Sequence, residues 1–451
     1  MSDALPIPPR THLDQYEKSA KDLQSACKSG LPQAFRDWAA RLAQTTARLP
    51  GLKLTAEVRR QIVADSERLE RPWLKLSKTD QRVARCTLAG ARLFLAHAHG
   101  FASWPGFKRH VQALAHPHSP VSRFEAAVDA IVDGDSTALR RMLRKRPELV
   151  RARSTRDHRS TLLHYVSANG VEDFRQRTPK NIVEIARLLL NAGADVNAES
   201  DAYGGRSTTL GLTATSWHPE KAGVQLPLLE LLLGRGAIID GPDGGSGVNA
   251  CLHNGRGRAA EFLASRGARL DLEAAAGTGR LDAVGSFFNE DGSLKPPATP
   301  QQLKDGFAWA CEFGRTHVVE FLLQRGTEIG AKLKHDGQTG LHWAAFGGHA
   351  DIVRLLLRSG APVDERDNTH NGTPLGWALF AWGNLPKSAD RAGFYESVAL
   401  LVRAGAKLDP RWYEENDDRR RAAQKMRADP RMRAALRGKY MNRIRRATTP
   451  S

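Results

Sequence analysis

The chain has 451 residues, 41% hydrophobic and 26% charged, which suits a folded core and excludes wholesale disorder. Its formal net charge is +18, but the excess lies at the ends: residues 1–120 hold 19 basic and 10 acidic side chains, residues 411–451 hold 13 and 5, and residues 121–410 hold 35 and 34. Attraction to nucleic acid, an anionic surface or an acidic partner is therefore expected of the flanks and not of the middle.

Residues 1–116 are expected to form a helical domain. Apolar residues recur at helical spacing over 13–27, 34–42, 58–69 and 83–98. After Gly100, Ser103-Trp104-Pro105 offers an N-cap with proline in the first turn, opening a helix through Phe107, Val111 and Leu114. Residues 117–121 are a short linker, because Pro117 and Pro120 bias their predecessors away from helix. No apolar run reaches the roughly 20 residues that span a bilayer. The start lacks the basic-then-apolar pattern of a signal peptide, so no membrane span and a cytoplasmic location are expected.

From 122 to 410 one phrase returns with variations. It is clearest as Thr339-Gly340-Leu341-His342-Trp343-Ala344-Ala345-Phe346-Gly347-Gly348-His349, followed by a leucine-rich stretch ending at Gly360. The glycines that close successive units stand at 193, 236, 267, 326, 360 and 405. A period of about 33 residues predicts stacked helix pairs. About eight units fit the length, the fifth of them degenerate around Ala274 to Val284. Others are expanded between their helices, at 171–180, 217–225 and 385–393. Residues 411–451 set Arg419, Arg420, Arg421, Arg431, Arg433 and Arg437 among alanines and methionines, which predicts a basic capping helix and a tail.

The repeated phrase resembles the ankyrin repeat. The resemblance implies an all-α fold, an ankyrin-type helical solenoid with short hairpin loops, here preceded by the small helical domain. It also implies a protein-protein interaction scaffold that is not an enzyme and that binds its partner on the concave face. In the family a Thr-Pro-Leu-His box opens the first helix. Thr339, Leu341 and His342 fit it while Gly340 replaces the proline; Thr373-Pro374-Leu375 keeps the proline but has Gly376 for the histidine. His342, His349, His164 and His317 match positions where the family uses histidine to hydrogen-bond turns between repeats. The stretch from His99 through Ser103-Trp104-Pro105 to His110 is similar to a segment found before the repeats in many bacterial ankyrin-repeat proteins.

Two sets of residues are candidates for recognition. Trp309, Trp343 and Trp377 stand 34 residues apart at one first-helix position, which Tyr165 also occupies. They form an aromatic ladder that serves either packing between repeats or contact. The expected partner-binding set on the concave face is Asn169, Ser216, His253, Asn254 and Thr278 in the earlier units and Phe313, Phe346, Phe380 and Trp382 in the later ones. It makes one groove polar in its first half and apolar in its second. The other reading of the phenylalanines is that they cover the insertion around Trp382.

Catalysis and cofactors are not expected: the chain has no P-loop, no HExxH and no GxSxG. No metal site is expected either, since His97, His99, His110, His116 and His118 cluster loosely with no carboxylate or cysteine beside them. Cys27, Cys86, Cys251 and Cys311 form no CxxC pair and are read as buried free thiols. The alternative function is a nucleic-acid-associated regulator using the basic N- and C-terminal flanks through phosphate contacts. Only Trp412, Tyr413 and Tyr440 are at hand there to stack on bases. The sequence does not identify the protein partner.

Overall fold

A computed structural model describes residues 4–7, 12–47, 56–241, 246–333, 336–385, 389–408 and 417–440. Helices supply nearly all of the regular structure, as expected of an all-α chain. The chain divides into two units, Met1–Ile239 and Asp240–Ser451.

The first unit opens with helices Leu13–Lys28, Pro32–Ala47, Ala56–Thr79 and Leu88–Ala98, packed around Leu23, Trp38, Phe94 and Leu95. Buried Trp38 keeps its polar end satisfied by donating from Nε1 to the Ser19 carbonyl at 3.0 Å. The third helix runs past Pro72 to Thr79, beyond the apolar run that predicts it, because Trp73 and Leu76 pack on the same core. The Ser103 cap is present: its hydroxyl accepts from Gly106 N at 3.3 Å and starts the helix Trp104–Leu114. Cys27 and Cys86 are joined in a disulfide, so the expectation of four free thiols holds only for Cys251 and Cys311. Sequence spacing gave no sign of the bond, since the two cysteines stand 59 residues apart and meet only when the helices fold.

Helix pairs follow in the same unit. Pro120–Asp133 pairs with Ser136–Lys145, and Thr209–Thr215 with Gln225–Leu233. Between them, the pair ending in Ile182–Asn191 has only a 3-10 turn, Leu162–Ser167, for its first helix, closed by Ala168 at φ 48°. The expansion at 171–180 explains the loss: Glu172 and Arg175 turn into the core beside this segment and are buried.

The second unit stacks Gly247–His253 with Gly257–Ser265, Leu272–Gly277 with Leu281–Ser286, and Pro300–Glu312 with Thr316–Gln324. It continues through Gly340–Phe346 with Ala350–Arg358 and Pro374–Asn384 with Ala392–Arg403. One core runs through it, including Val318, Leu322, Leu341, Ile352, Leu356, Leu379 and Val398, so each pair is stabilised by its neighbours. Helices Asp417–Ala428 and Pro430–Ala435 close the end and contribute Ala422, Met426, Met432 and Ala435 to the same core.

The histidine of the repeated box holds two repeats together. Thr339 N donates to His342 Nδ1 at 3.1 Å, which fixes the proton on Nε2, and Nε2 donates to the Gly372 carbonyl of the next repeat at 3.2 Å. His164 repeats the arrangement with Thr161 N at 3.1 Å and the Ser207 carbonyl at 3.2 Å. His349 and His317 instead reach back one repeat, to the carbonyls of Glu312 at 2.6 Å and Gly279 at 3.1 Å.

Candidate functional site

The three tryptophans stack along the first helices of the second unit. Ring centroids of Trp309 and Trp343 are 5.7 Å apart and those of Trp343 and Trp377 are 5.2 Å apart. Phe346 joins them edge-on, 6.0 Å from Trp343 and 5.5 Å from Trp377. These distances and tilts are the favoured ones for aromatic pairs, so the stack is cohesive without a partner. Trp309 is buried, whereas Trp343, Trp377 and Phe346 are half-buried and leave part of each ring open. The ladder therefore packs between repeats and also presents a surface.

Carboxylates anchor both ends. Trp309 Nε1 donates to Glu273 Oε1 at 2.8 Å, and His253 Nε2 donates to the same oxygen at 2.6 Å. That hydrogen bond raises the pKa of His253, whose ring lies edge-on to Trp309 at 5.1 Å. At the other end Trp377 Nε1 donates to Asp367 Oδ2 at 2.9 Å. Burial works to raise the Asp367 pKa, but N–H donors from His370, Trp377, Gly372 and Thr369 outweigh it and hold the carboxyl below its ordinary value.

Glu312 is a further titratable group at this face, on the last turn of Pro300–Glu312 beside Phe313. Burial pushes its pKa up to about 8 against the pull of Arg256, and its Oε2 has no protein partner. Nothing in the repeat pattern marks it; it becomes visible only when the neighbouring repeat covers it.

The expected partner-facing residues separate into three groups. Phe346 lies on the ladder, Phe380 is 39% exposed, and His253 and Asn254 are exposed. Phe313 is half-buried against the chain at Gly257, where a Cβ would stand 2.5 Å from its ring. Asn169 is half-buried and ties repeats together. It donates to the Leu212 carbonyl and Thr215 Oγ1, each at 3.1 Å, and accepts from the Tyr203 hydroxyl at 2.6 Å. Ser216, Thr278 and Trp382 are buried. Ser216 Oγ donates to the Ala168 carbonyl at 3.5 Å and Thr278 Oγ1 to the Ala274 carbonyl at 2.6 Å, while Trp382 packs in the core 6.3 Å from Tyr395. These three are thus structural: each is buried and engaged within the repeats.

Of the basic flank, Arg420, Arg421, Arg431, Arg433 and Arg437 are exposed, whereas Arg419 is half-buried, with burial lowering its pKa and Asp367 opposing. Trp412 and Tyr413 lie outside the described residues.

The first unit holds a charged cluster that sequence reasoning missed. Arg175 Nη1 lies 2.6 Å from Glu125 Oε2, and its Nη2 lies 2.7 Å from Asp129 Oδ1. Arg156 pairs with Glu172 and reaches Glu125 at 3.6 Å. His158 Nε2 lies 3.5 Å from Glu172 Oε1, and the Tyr165 hydroxyl donates to that oxygen at 3.3 Å. Arg156 and Glu172 are 2% and 1% exposed, so the ion pairs are dry and mutually dependent. Burial would raise both glutamate pKa values, but Arg175 and Arg156 hold Glu125 below its ordinary value, and Arg156 with the His158 hydrogen bond holds Glu172 well below.

The same arginine connects the repeats to the segment His99–His110. Arg156 Nη1 donates to the His99 carbonyl at 2.8 Å, Asp157 N to the Gly100 carbonyl at 3.0 Å, and Ala102 N to Asp157 Oδ1 at 2.6 Å. His110 Nδ1 and Thr155 Oγ1 are 2.6 Å apart. Burial pushes the pKa values of His99 and His110 down to about 3 and about 4, so both are neutral at ordinary pH. Apart from exposed Asp129 the cluster is buried, and its ion pairs and hydrogen bonds tie the segment His99–His110 to the first repeats, which makes it a joint between them.

Among the described residues no group of three or more His, Cys, Asp or Glu is arranged to hold a metal, and no helix is long and apolar enough to cross a membrane. Compared with known proteins, residues 307–411 match the family model for ankyrin repeats in three copies. No curated protein matches the chain.

Proposed function

With the chain identified as an ankyrin-repeat protein by residues 307–411, we propose that it is a scaffold that binds a protein partner on the concave face, along the ladder of Trp343, Phe346 and Trp377. Ankyrin repeats generally mediate protein-protein interaction. The observation that carries the reading is the row of half-buried rings on successive first helices, continued by exposed Phe380. Rigid aromatic side chains bury large areas at low conformational cost, which suits them to anchor an interface. Because the ladder is held by its own stacking and by Glu273 and Asp367, it is preorganised and loses little freedom on binding.

The test is capture of partners from lysate by the full chain beside a Phe346→Ala, Phe380→Ala variant, with nuclease present and at two salt concentrations. A discrete protein that survives nuclease and salt and falls by more than about tenfold with the variant supports the reading. Equal recovery with both chains removes the ring face from the function.

The location we propose is the cytoplasm, against which the Cys27–Cys86 bond counts, and thiol counting in material taken from cells under alkylation decides between them. Four free thiols fit a reducing compartment; two, with Cys27 and Cys86 joined, place the chain in an oxidising one.

A further inference from the structure

Helices Asp417–Ala428 and Pro430–Ala435 turn two chemically different sides to their surroundings. Ala422, Ala423, Met426, Met432 and Ala435 are buried in the core of the second unit. The fit is close enough that a Cβ at Gly383 would stand 2.6 Å from the Ala422 methyl. The other side is cationic: Arg427, Arg431, Arg433, Arg437 and Lys439 are all exposed. The helices bring these charges together, with Arg433 Nη1 donating to the Arg427 carbonyl at 3.3 Å.

Asp429, between the two helices, does not neutralise them. Its carboxylate accepts from the Tyr395 hydroxyl at 2.7 Å and from the N–H groups of Arg431 and Met432 at 2.8 and 3.0 Å, so it is committed to capping the second helix. No ion pair to Arg427, Arg431, Arg433 or Arg437 occurs among the described residues. Like charges fixed on a folded surface repel one another, and a multivalent anion relieves the repulsion.

We propose that this cationic face of the C-terminal cap binds the phosphodiester backbone of a nucleic-acid duplex without regard to sequence. It is a surface made of other residues than the ring face. Four of the five cations are arginines, whose planar guanidinium groups match phosphate oxygens in pairs. A duplex carries about one negative charge per 1.7 Å of its axis, a density that engages several fixed cations at once. Insertion into a membrane surface would need a free apolar helix face, and here that face is buried in the core. Base stacking would need an open aromatic ring, and the one ring among the described residues of this flank, Tyr440, is packed on Tyr395 at 5.3 Å.

The experiment measures binding of the full chain to a labelled duplex of arbitrary sequence, about 20 base pairs long, from roughly 50 to 200 mM salt. It is repeated with an Arg427→Gln, Arg431→Gln, Arg433→Gln, Arg437→Gln variant and with phosphatidylserine vesicles as competitor. The four side chains are exposed, so an unchanged melting curve serves as the folding control. The expected result is affinity that falls steeply with salt in the parent. The variant should bind more than about tenfold more weakly, with a log–log salt slope flatter by about 3 to 4. Equal affinity and slope in the two chains overturns the proposal, as does binding to vesicles without binding to duplex. The Phe346→Ala, Phe380→Ala chain should bind duplex as the parent does; loss there moves the contact to the ring face and also overturns it.

Discussion

Gly340 stands where the ankyrin box has proline, and its reason is steric. A Cβ at this position would lie 2.8 Å from the Phe307 ring and 3.0 Å from Cys311 Sγ, both of the preceding repeat. Restoring the consensus proline should therefore destabilise the protein by about 1 to 3 kcal/mol, against the trend for consensus changes. Denaturant unfolding of Gly340→Pro checks this, and a gain in stability would show that the neighbouring ring moves aside. Glu312 makes the opposite case. Its pKa in the fold, about 8, lies above the value near 4.5 of a free glutamate, so the fold prefers the neutral form. The stability penalty is absent below about pH 4.5, grows as pH rises and is complete above about 8. Glu312→Gln should remove it, stabilising the protein by about 1 to 3 kcal/mol at pH 8 and by little at pH 4.5. Melting curves at the two pH values distinguish this from a pH-independent packing effect.

At the level of elements, the joint between His99–His110 and the first repeats is sensitive to acid. His99 and His110 have folded pKa values of about 3 and about 4, below the ordinary 6.5 of histidine. Their contribution is fully present above pH 6.5 and is lost as pH falls from there toward about 4 for His110 and about 3 for His99. The loss is about 1 to 2 kcal/mol per histidine at pH 5. Hydrogen exchange should show helices Trp104–Leu114 and Pro120–Asp133 opening first across this range. Replacing both histidines by glutamine should flatten the dependence. Arg156→Met should cost more, about 3 to 5 kcal/mol at neutral pH, because Glu172 and Glu125 would remain buried without that partner.

These elements also show what the sequence can reveal. The periodic glycines, the Thr-x-Leu-His box and the tryptophans 34 residues apart report local geometry that each repeat must satisfy, and the ladder stacks on the first helices while the box at Thr161 opens only a 3-10 turn. Trp382, Ser216 and Thr278 are buried where the pattern places them on the partner-facing side, because a repeat position does not report how far the neighbouring chain covers it. The charged joint was invisible for a related reason. Its members come from positions 99, 110, 125, 156, 172 and 175, and the pairs that neutralise them exist only in the folded unit.

For the molecule as a whole, the excess charge sits at the two ends of the chain. In the second unit the near-neutral repeats supply most of the core, and the cap that closes them adds its apolar side to that core and carries cations on its other side. Recognition by rings and attraction by charge can therefore be altered separately, and the two sets of substitutions above should act independently. The Cys27–Cys86 bond adds a mechanical consequence. It closes a loop of 59 residues within the first unit, so a chain pulled from its two ends cannot pay that loop out. The oxidised protein should reach full extension about 200 Å short of the reduced one in a force–extension trace. One covalent link thus sets the contour length over which the protein can transmit tension.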